Sequence, residues 1–466
     1  MDLDSQDSRL SHKLLTVVRK LQAIAWKVVC RLSRSRVTPF LGLLIFLAGI
    51  YRLSINPSIP SYRLIEIGTL LLIYRFLPVG RLGLNKIPEK LFIVAIVATA
   101  FVFRVFPNVI YPLPVGYDPP LYLYAAKYLS QNPHEILTTL ILHSEPAPWY
   151  FWWEPLPPLL FASFALTGLP LLWIAIVLVP AISAITLVPI YFLTSVAKGK
   201  SVAILTALFL MFDPIQLRLS TDYYRNVVGN LFLFAALYFL MKEEKLSAKA
   251  VVMTALLMAS HLYSLPVLAT TLLLFQKSCG HLSRERIRLY ALTFALAFLL
   301  SLCPIWLFLA WTEFSYQMTK QQGGLLSFLY WVSVQTSPLD YLSRRMWGEV
   351  LSPLIWTMGI TIASIPTLVK GSKRSLPFAL LFSVVILTIL GFFEVFGEIK
   401  RWIFYLEFPL AMLAAISVQD SRRQKYLTPL ILGIIFVDGI TFASQLLRVE
   451  QWQYEGRYTW KQVFDP

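Results

Sequence analysis

Residues 171–193 read LLWIAIVLVPAISAITLVPIYFL, 23 positions in a row without a charged side chain. A helix that crosses a bilayer needs about 20 mainly apolar residues, and this run supplies them. The pattern repeats along the chain. Apolar segments of similar length lie at about 38–55, 64–80, 90–106, 201–218, 226–242, 289–311, 350–369, 376–394, 402–418 and 427–447. The stretch 250–276 is apolar for longer than one span. His261 and Pro266 interrupt it, so it reads as two short helices, 250–262 and 264–276. The total is about 13 spans. Composition points the same way: 57% of the 466 residues are hydrophobic and 14% are charged. Soluble chains average ~25% charged residues. So few charges cannot cover a soluble body of this size, which excludes the soluble, disordered and fibrous classes. The expected fold class is an all-α polytopic membrane protein.

Basic residues orient the spans. With the N-terminus in the cytoplasm, segments 1–37, 80–90, 194–200, 242–249, 277–288, 370–375 and 419–426 lie inside and hold 26 of the 41 Lys and Arg residues. The outer segments hold 12, Arg63, Arg218, Arg225, Lys400 and Arg401 among them. That asymmetry is the one cytoplasmic loops carry. Segment 155–168 (PLPPLLFASFALTG) is apolar but short. As a span it would put Lys198, Lys200, Lys277 and Arg284 outside, so it reads as non-spanning or re-entrant on the outer face. The net charge of +16 reports topology and contact with anionic headgroups rather than nucleic acid. Cys30, Cys279 and Cys303 form neither a disulfide framework nor a metal-ligand spacing. The expected organisation is a basic amphipathic helix on the cytoplasmic surface over 1–37 and an N-terminal two-helix addition over 38–89. A transmembrane core follows over 90–312, with an outer loop at 107–170 and juxtamembrane helices within it. C-terminal transmembrane helices occupy 313–447, and 448–466 is a short outer tail.

Acidic residues gather on the other side. Asp118, Glu135, Glu145, Glu154, Asp222, Glu313, Asp340, Glu349, Glu394, Glu398 and Glu407 fall outside or near the outer leaflet. Carboxylates do little to set topology, so a polar site on that face is a candidate cause. In Tyr117-Asp118-Pro119-Pro120 the Asp reads as an N-cap with Pro in the first helical position, and a capping Asp can also face a cleft. Trp149-Tyr150-Phe151-Trp152-Trp153-Glu154-Pro155 suits an interfacial aromatic belt. Aromatics beside one carboxylate equally suit a sugar ring, with its apolar faces and hydroxyl edges. Ser220-Thr221-Asp222-Tyr223-Tyr224-Arg225-Asn226 reads as a helix start in which Asp222 complements the dipole. Lys400-Arg401 before Trp402 can snorkel or clamp a phosphate, which Arg matches with two parallel hydrogen bonds. His261, between two apolar helices, is either a satisfied packing residue or functional.

Taken together and in this order, these residues resemble a GT-C glycosyltransferase. That polytopic class includes oligosaccharyltransferase catalytic subunits, protein O-mannosyltransferases and aminoarabinose transferases. The resemblance covers about 90–420. It rests on Asp118 after the span 90–106, Pro157-Pro158-Leu159 late in the same loop, the acidic second loop at Asp222, and Lys400-Arg401-Trp402-Ile403-Phe404-Tyr405-Leu406. The sequence style is similar to archaeal membrane glycosyltransferases. The resemblance implies a GT-C-like bundle that takes a sugar from a polyprenyl-phosphate (dolichyl-type) donor. The acceptor hydroxyl would belong to a glycan, lipid or protein on the extracytoplasmic face, and the anomeric configuration would invert. It implies Asp118 as general base. Asp222, Glu154, Tyr117, Arg225, Trp152 and Trp153 would contact substrate, and Lys400 and Arg401 the lipid phosphate. Arg104, His261 and Tyr405 are further candidates. The WWD-type motif of oligosaccharyltransferases is missing, and the tail is too short for a soluble domain, which argues against en bloc transfer to asparagine. The cofactor left open is a divalent cation, Mg or Mn. A single Asp at 118, rather than an Asp-x-Asp pair, weakens that case.

Two other classes compete. A transporter or lipid-linked-sugar flippase would show inverted repeats and mid-membrane ionisable groups, for which Glu66, Arg75, His261 and Asp438 are the candidates. A non-catalytic scaffold would not need Asp118, Asp222 and Arg401 on one face.

Overall fold

The computed structural model describes residues 37–55, 63–69, 77–110, 119–133, 155–261, 263–280, 283–301, 343, 346, 351–371, 375–392 and 402–446. Among the described residues every regular element is a helix. In chain order they are α1 Val37–Ile55, α2 Glu89–Ile110, α3 Pro119–Gln131, α4 Leu156–Leu166, α5 Leu171–Lys198, α6 Lys200–Met211, α7 Pro214–Asp222 and α8 Tyr224–Lys242. There follow α9 Ala248–Ser260, α10 Ser264–Cys279, α11 Arg284–Leu300, α12 Ser352–Trp356, α13 Met358–Lys370, α14 Leu376–Phe392, α15 Glu407–Asp420 and α16 Gln424–Leu446. Four of these, α2, α5, α8 and α16, are long and apolar enough to cross a membrane, and α6 with α7 makes a fifth if the bent pair is one span. Among the described residues the protein is therefore all-helical, with several helices long and apolar enough to span a membrane. The expected surface helix at 1–37, apart from Val37, and the tail at 448–466 lie outside the described residues.

Exposed and inward surfaces separate cleanly on α2. Leu91, Val94, Val102, Phe106 and Val109 are exposed, whereas Phe92, Ile96, Ala100, Arg104 and Asn108 are buried. The buried set recurs every four residues, one face of a helix. An apolar outer stripe suits hydrocarbon, and the inward face carries the polar groups. At the centre, α15 is buried nearly all round, from Glu407 and Phe408 to Ala414, Ala415 and Val418. Its alanines let α13 and α6 pack closely against it. Around this axis α8 packs on α9, α9 on α11, and α10 on α14. A second apolar cluster joins α3, α4, α5, α7 and the start of α8 through Leu123, Phe161, Ile174, Leu219 and Tyr224. With 11 residues, α4 is about 16 Å long at 1.5 Å per residue, too short to cross.

Connecting segments meet in two groups. Lys200 Nζ donates to the carbonyls of Asn85 and Ile87 at 3.1 and 2.7 Å. Gly80 pairs through its backbone with Arg422 and Lys425, and Lys370 bridges Asp420 at 3.2 Å. These are segments that the Lys and Arg distribution assigns to one face. The α7–α8 junction, the α9–α10 junction and the turn at 402–406 form the second group, described below.

Several details depart from the sequence reading. The segment expected as a span over 64–80 is helical at 63–69 and non-helical at 77–83. The span expected over 201–218 is broken: α6 ends at Met211, α7 starts at Pro214, and the two are bent by 57°. Arg63, expected in an outer loop, is buried and ion-paired with Glu66 at 2.6 Å and with Asp438. Its guanidinium also lies over the Trp356 ring, 5.9 Å from the centroid. A charge in an apolar bundle persists only with partners, and Arg63 finds one on its own helix and one on α16.

Candidate functional site

Three interruptions of helix meet at one place. The first is Tyr223, between α7 and α8, in a non-helical conformation (φ −111°, ψ 65°). The second is the α9–α10 break, where His261 is extended (φ −161°, ψ 99°) and ends α9. The third is the turn 402–406, whose backbone closes tightly through Tyr405 N–H to Trp402 O and Leu406 N–H to Ile403 O, each at 3.0 Å. Irregular backbone at membrane depth is tolerated only where protein buries it or water reaches it. Aromatic contacts seal these junctions together. Tyr223 meets Phe404 at 5.0 Å between centroids, and Tyr263 meets Trp402 edge-on at 5.3 Å. The helix that begins at Pro119 joins through Tyr122, stacked on Tyr224 at 5.8 Å.

At the heart of the junction sits a hydrogen-bonded triad. His261 Nδ1 is 3.0 Å from Ser264 Oγ and 3.0 Å from Tyr405 Oη, and the two hydroxyls are 2.5 Å apart. His261 is fully buried, against Gly229 of α8. A Cβ at Gly229 would stand 2.5 Å from His261 Cβ. Gly229→Ala is therefore expected to push His261 away from Tyr405 at a cost of about 1–3 kcal/mol. Thermal melting in detergent checks this, and an unchanged melting temperature would show that the junction is not close-packed.

A second polar group lies two residues along from Tyr405. Glu407 accepts from Gln216 Nε2, and its electrostatic neighbours are Asp213 and Arg104. Asp213 caps α7: its Oδ2 accepts from the backbone N–H of Ile215 and Gln216 at 3.0 and 3.1 Å, with Pro214 next in the chain. Arg104 Nη2 donates to Leu210 O at 3.3 Å, a carbonyl in the last turn of α6. All four side chains are buried. The cluster thus ties α2, the α6–α7 break and α15 together at the level where the chain turns.

Asp222 ends α7 rather than starting a helix, which corrects the sequence reading. It is buried and ion-paired with Arg218 at 2.5 Å, four residues earlier. Arg218 is the more accessible half of the pair and lies over the Tyr223 ring. Arg225 is half-buried on the first turn of α8. The structure thus brings His261 and Tyr405 into contact and sets Tyr223, the neighbour of Asp222, against Phe404, the neighbour of Tyr405. Arg104 belongs to the adjoining cluster. Asp118, Tyr117, Glu154, Trp152, Trp153, Lys400 and Arg401 lie outside the described residues. Asp213, Gln216 and Ser264 were not expected. Asp213-Pro214 carries the same cap signal as Asp118-Pro119 and could have been found by it. Among the described residues no three His, Cys, Asp or Glu side chains gather to hold a metal ion. No family model matches the chain, and no curated protein matches it.

Proposed function

We propose that the chain is a membrane glycosyltransferase of GT-C type, a bundle of about 13 transmembrane helices with its site on the extracytoplasmic face. The observation that supports this best is the meeting of the start of α3, the α7–α8 junction and the 402–406 turn. Those elements flank Asp118, Asp222 and Lys400-Arg401, the residues on which the reading depends. In the reaction, Asp118 takes the proton of the acceptor hydroxyl as that oxygen bonds to the sugar's anomeric carbon. The bond from that carbon to the phosphate oxygen breaks on the opposite side, which inverts the configuration. Lys400 and Arg401 stabilise the charge that grows on the departing polyprenyl phosphate. Asp222, Arg225, Glu154, Tyr117 and the Trp152-Trp153 pair orient sugar and acceptor. Buried and hydrogen-bonded, Tyr405 and His261 hold the turn that follows the cationic pair.

The test is a radiolabelled transfer assay in liposomes with a polyprenyl-phosphate hexose as donor and a membrane lipid extract as acceptor pool. Lys400→Gln with Arg401→Gln is expected to cut transfer about 100-fold, the scale of removing one preorganised stabiliser of transition-state charge. Wild-type transfer by the double variant would remove the phosphate clamp from the mechanism. An EDTA lane decides the role of Mg or Mn.

A second reading, a transporter or lipid-linked-sugar flippase, is favoured by one observation. Arg63, Arg104, Asp213, Glu407 and Asp438 are buried ionisable groups on largely apolar helices, and α6–α7 is discontinuous.

A further inference from the structure

A further set of connections, 242–249 and 277–288, borders an open cavity of about 610 Å³. It lies between the end of α8, the end of α10 and the start of α11. Met241 and Phe275 give it an apolar wall, and Gln276, Ser283 and Arg286 a polar one, with Glu244 at the rim. Segments 242–249 and 277–288 carry Lys242, Lys245, Lys249, Lys277, Arg284, Arg286 and Arg288 against Glu243, Glu244 and Glu285. The surroundings are thus strongly cationic.

Arg286 is the centre of the polar wall. Its Nη1 donates to Glu243 O at 3.0 Å, which fixes the guanidinium. Its Nη2 reaches Glu244 at 3.9 Å, and the Glu244 side chain is 86% exposed. A charge-assisted hydrogen bond to a carboxylate is about 2.7–2.9 Å long, so this contact is loose and easily displaced. A phosphate oxygen beside Nη2 would form the tighter bond. Gln276 is held by Tyr290, to whose Oη it donates at 2.9 Å. Ser283 caps α11 through the Arg286 N–H at 3.1 Å, so the helix's positive end faces the same space. The same two helices also carry exposed apolar side chains, Leu273 on α10 and Ile287 on α11. A ligand here therefore has an anionic head and an apolar body.

We propose that this cavity binds the phosphate of an anionic phospholipid head group, with the acyl chains along Met241 and Phe275. The proposal stands whether or not the chain transfers sugar. Basic pockets between membrane helices are suited to such head groups.

The experiment is native mass spectrometry of the full chain in detergent, titrated with phosphatidylglycerol or with phosphatidylcholine of the same acyl chains. A third arm adds inorganic phosphate at the phosphatidylglycerol concentration. The expected result is one retained phosphatidylglycerol. Arg286→Gln should lower the preference for it over phosphatidylcholine about fivefold, the scale of one surface cation. Glu244→Gln should raise that preference, because it removes the competing carboxylate. Melting temperatures without lipid establish that both variants fold. If Arg286→Gln does not fold, Glu244→Gln decides alone, and an unchanged preference overturns the proposal. An undiminished preference in folded Arg286→Gln also overturns it. Displacement of the lipid by equimolar inorganic phosphate would mean a site for free phosphate instead.

Discussion

Asp118→Asn is expected to lower sugar transfer by about 10²- to 10⁴-fold, the range of a positioned general base, without changing the melting temperature. The substitution separates the two roles of Asp118. Asn caps a helix about as well as Asp, so the cap that the sequence Asp118-Pro119 predicts ahead of α3 is expected to survive. What Asn cannot do is accept the acceptor's proton. A folded Asp118→Asn variant that transfers at the wild-type rate would leave Asp118 as a cap and nothing more. Asp118→Ala then measures the cap by itself: about 1 kcal/mol of stability is expected to go with it.

Arg104→Leu is expected to destabilise the protein by about 3–5 kcal/mol, the cost of leaving a buried charge without its partner. Arg104 sits on the inward face of a helix whose other face carries the exposed Val102 and Phe106. Leucine fills part of its space but leaves Asp213 and Glu407 with no nearby guanidinium, two carboxyl groups facing each other in an apolar bundle. Loss of the monodisperse peak in detergent chromatography, and a large drop in melting temperature, would report this. Glu407→Gln in the Arg104→Leu background should recover part of the loss. It removes one of the two carboxyls and keeps an oxygen for Gln216 to donate to. Such a double-mutant cycle isolates the coupling between the two sites. If Arg104→Leu melts with the wild type, the four residues are not one energetic unit.

The helical class and the long apolar helices α2, α5, α8 and α16 were legible because hydropathy is a local property. The break at 261–263 was legible too, since a His and a nearby Pro interrupt an apolar run. The break at 212–213 was not, although Asp213-Pro214 has the same cap grammar as Asp118-Pro119, because apolar residues on both sides hid it in a segment average. Arg63 looked like a loop residue for a related reason. Its partner Asp438 lies on the last helix, and no local pattern announces a pair so distant in sequence. Asp222 was read as opening a helix and instead closes one, since Ser, Thr and Asp cluster at either boundary. At the site, His261 and Tyr405 could be nominated singly, but their direct contact, shared with Ser264, joins α9–α10 to the turn before α15. Composition sees such residues, and packing alone pairs them.

The most direct test of the glycosyltransferase reading follows one labelled molecule to two fates. Reconstituted protein is given polyprenyl-phosphate hexose labelled in the sugar, with an acceptor lipid pool. The label is then assayed both for covalent transfer and for movement of intact donor between leaflets. The account predicts label in a new product, dependent on Asp118. Donor that crosses the bilayer unchanged, with no new product, would contradict it and make the protein a flippase.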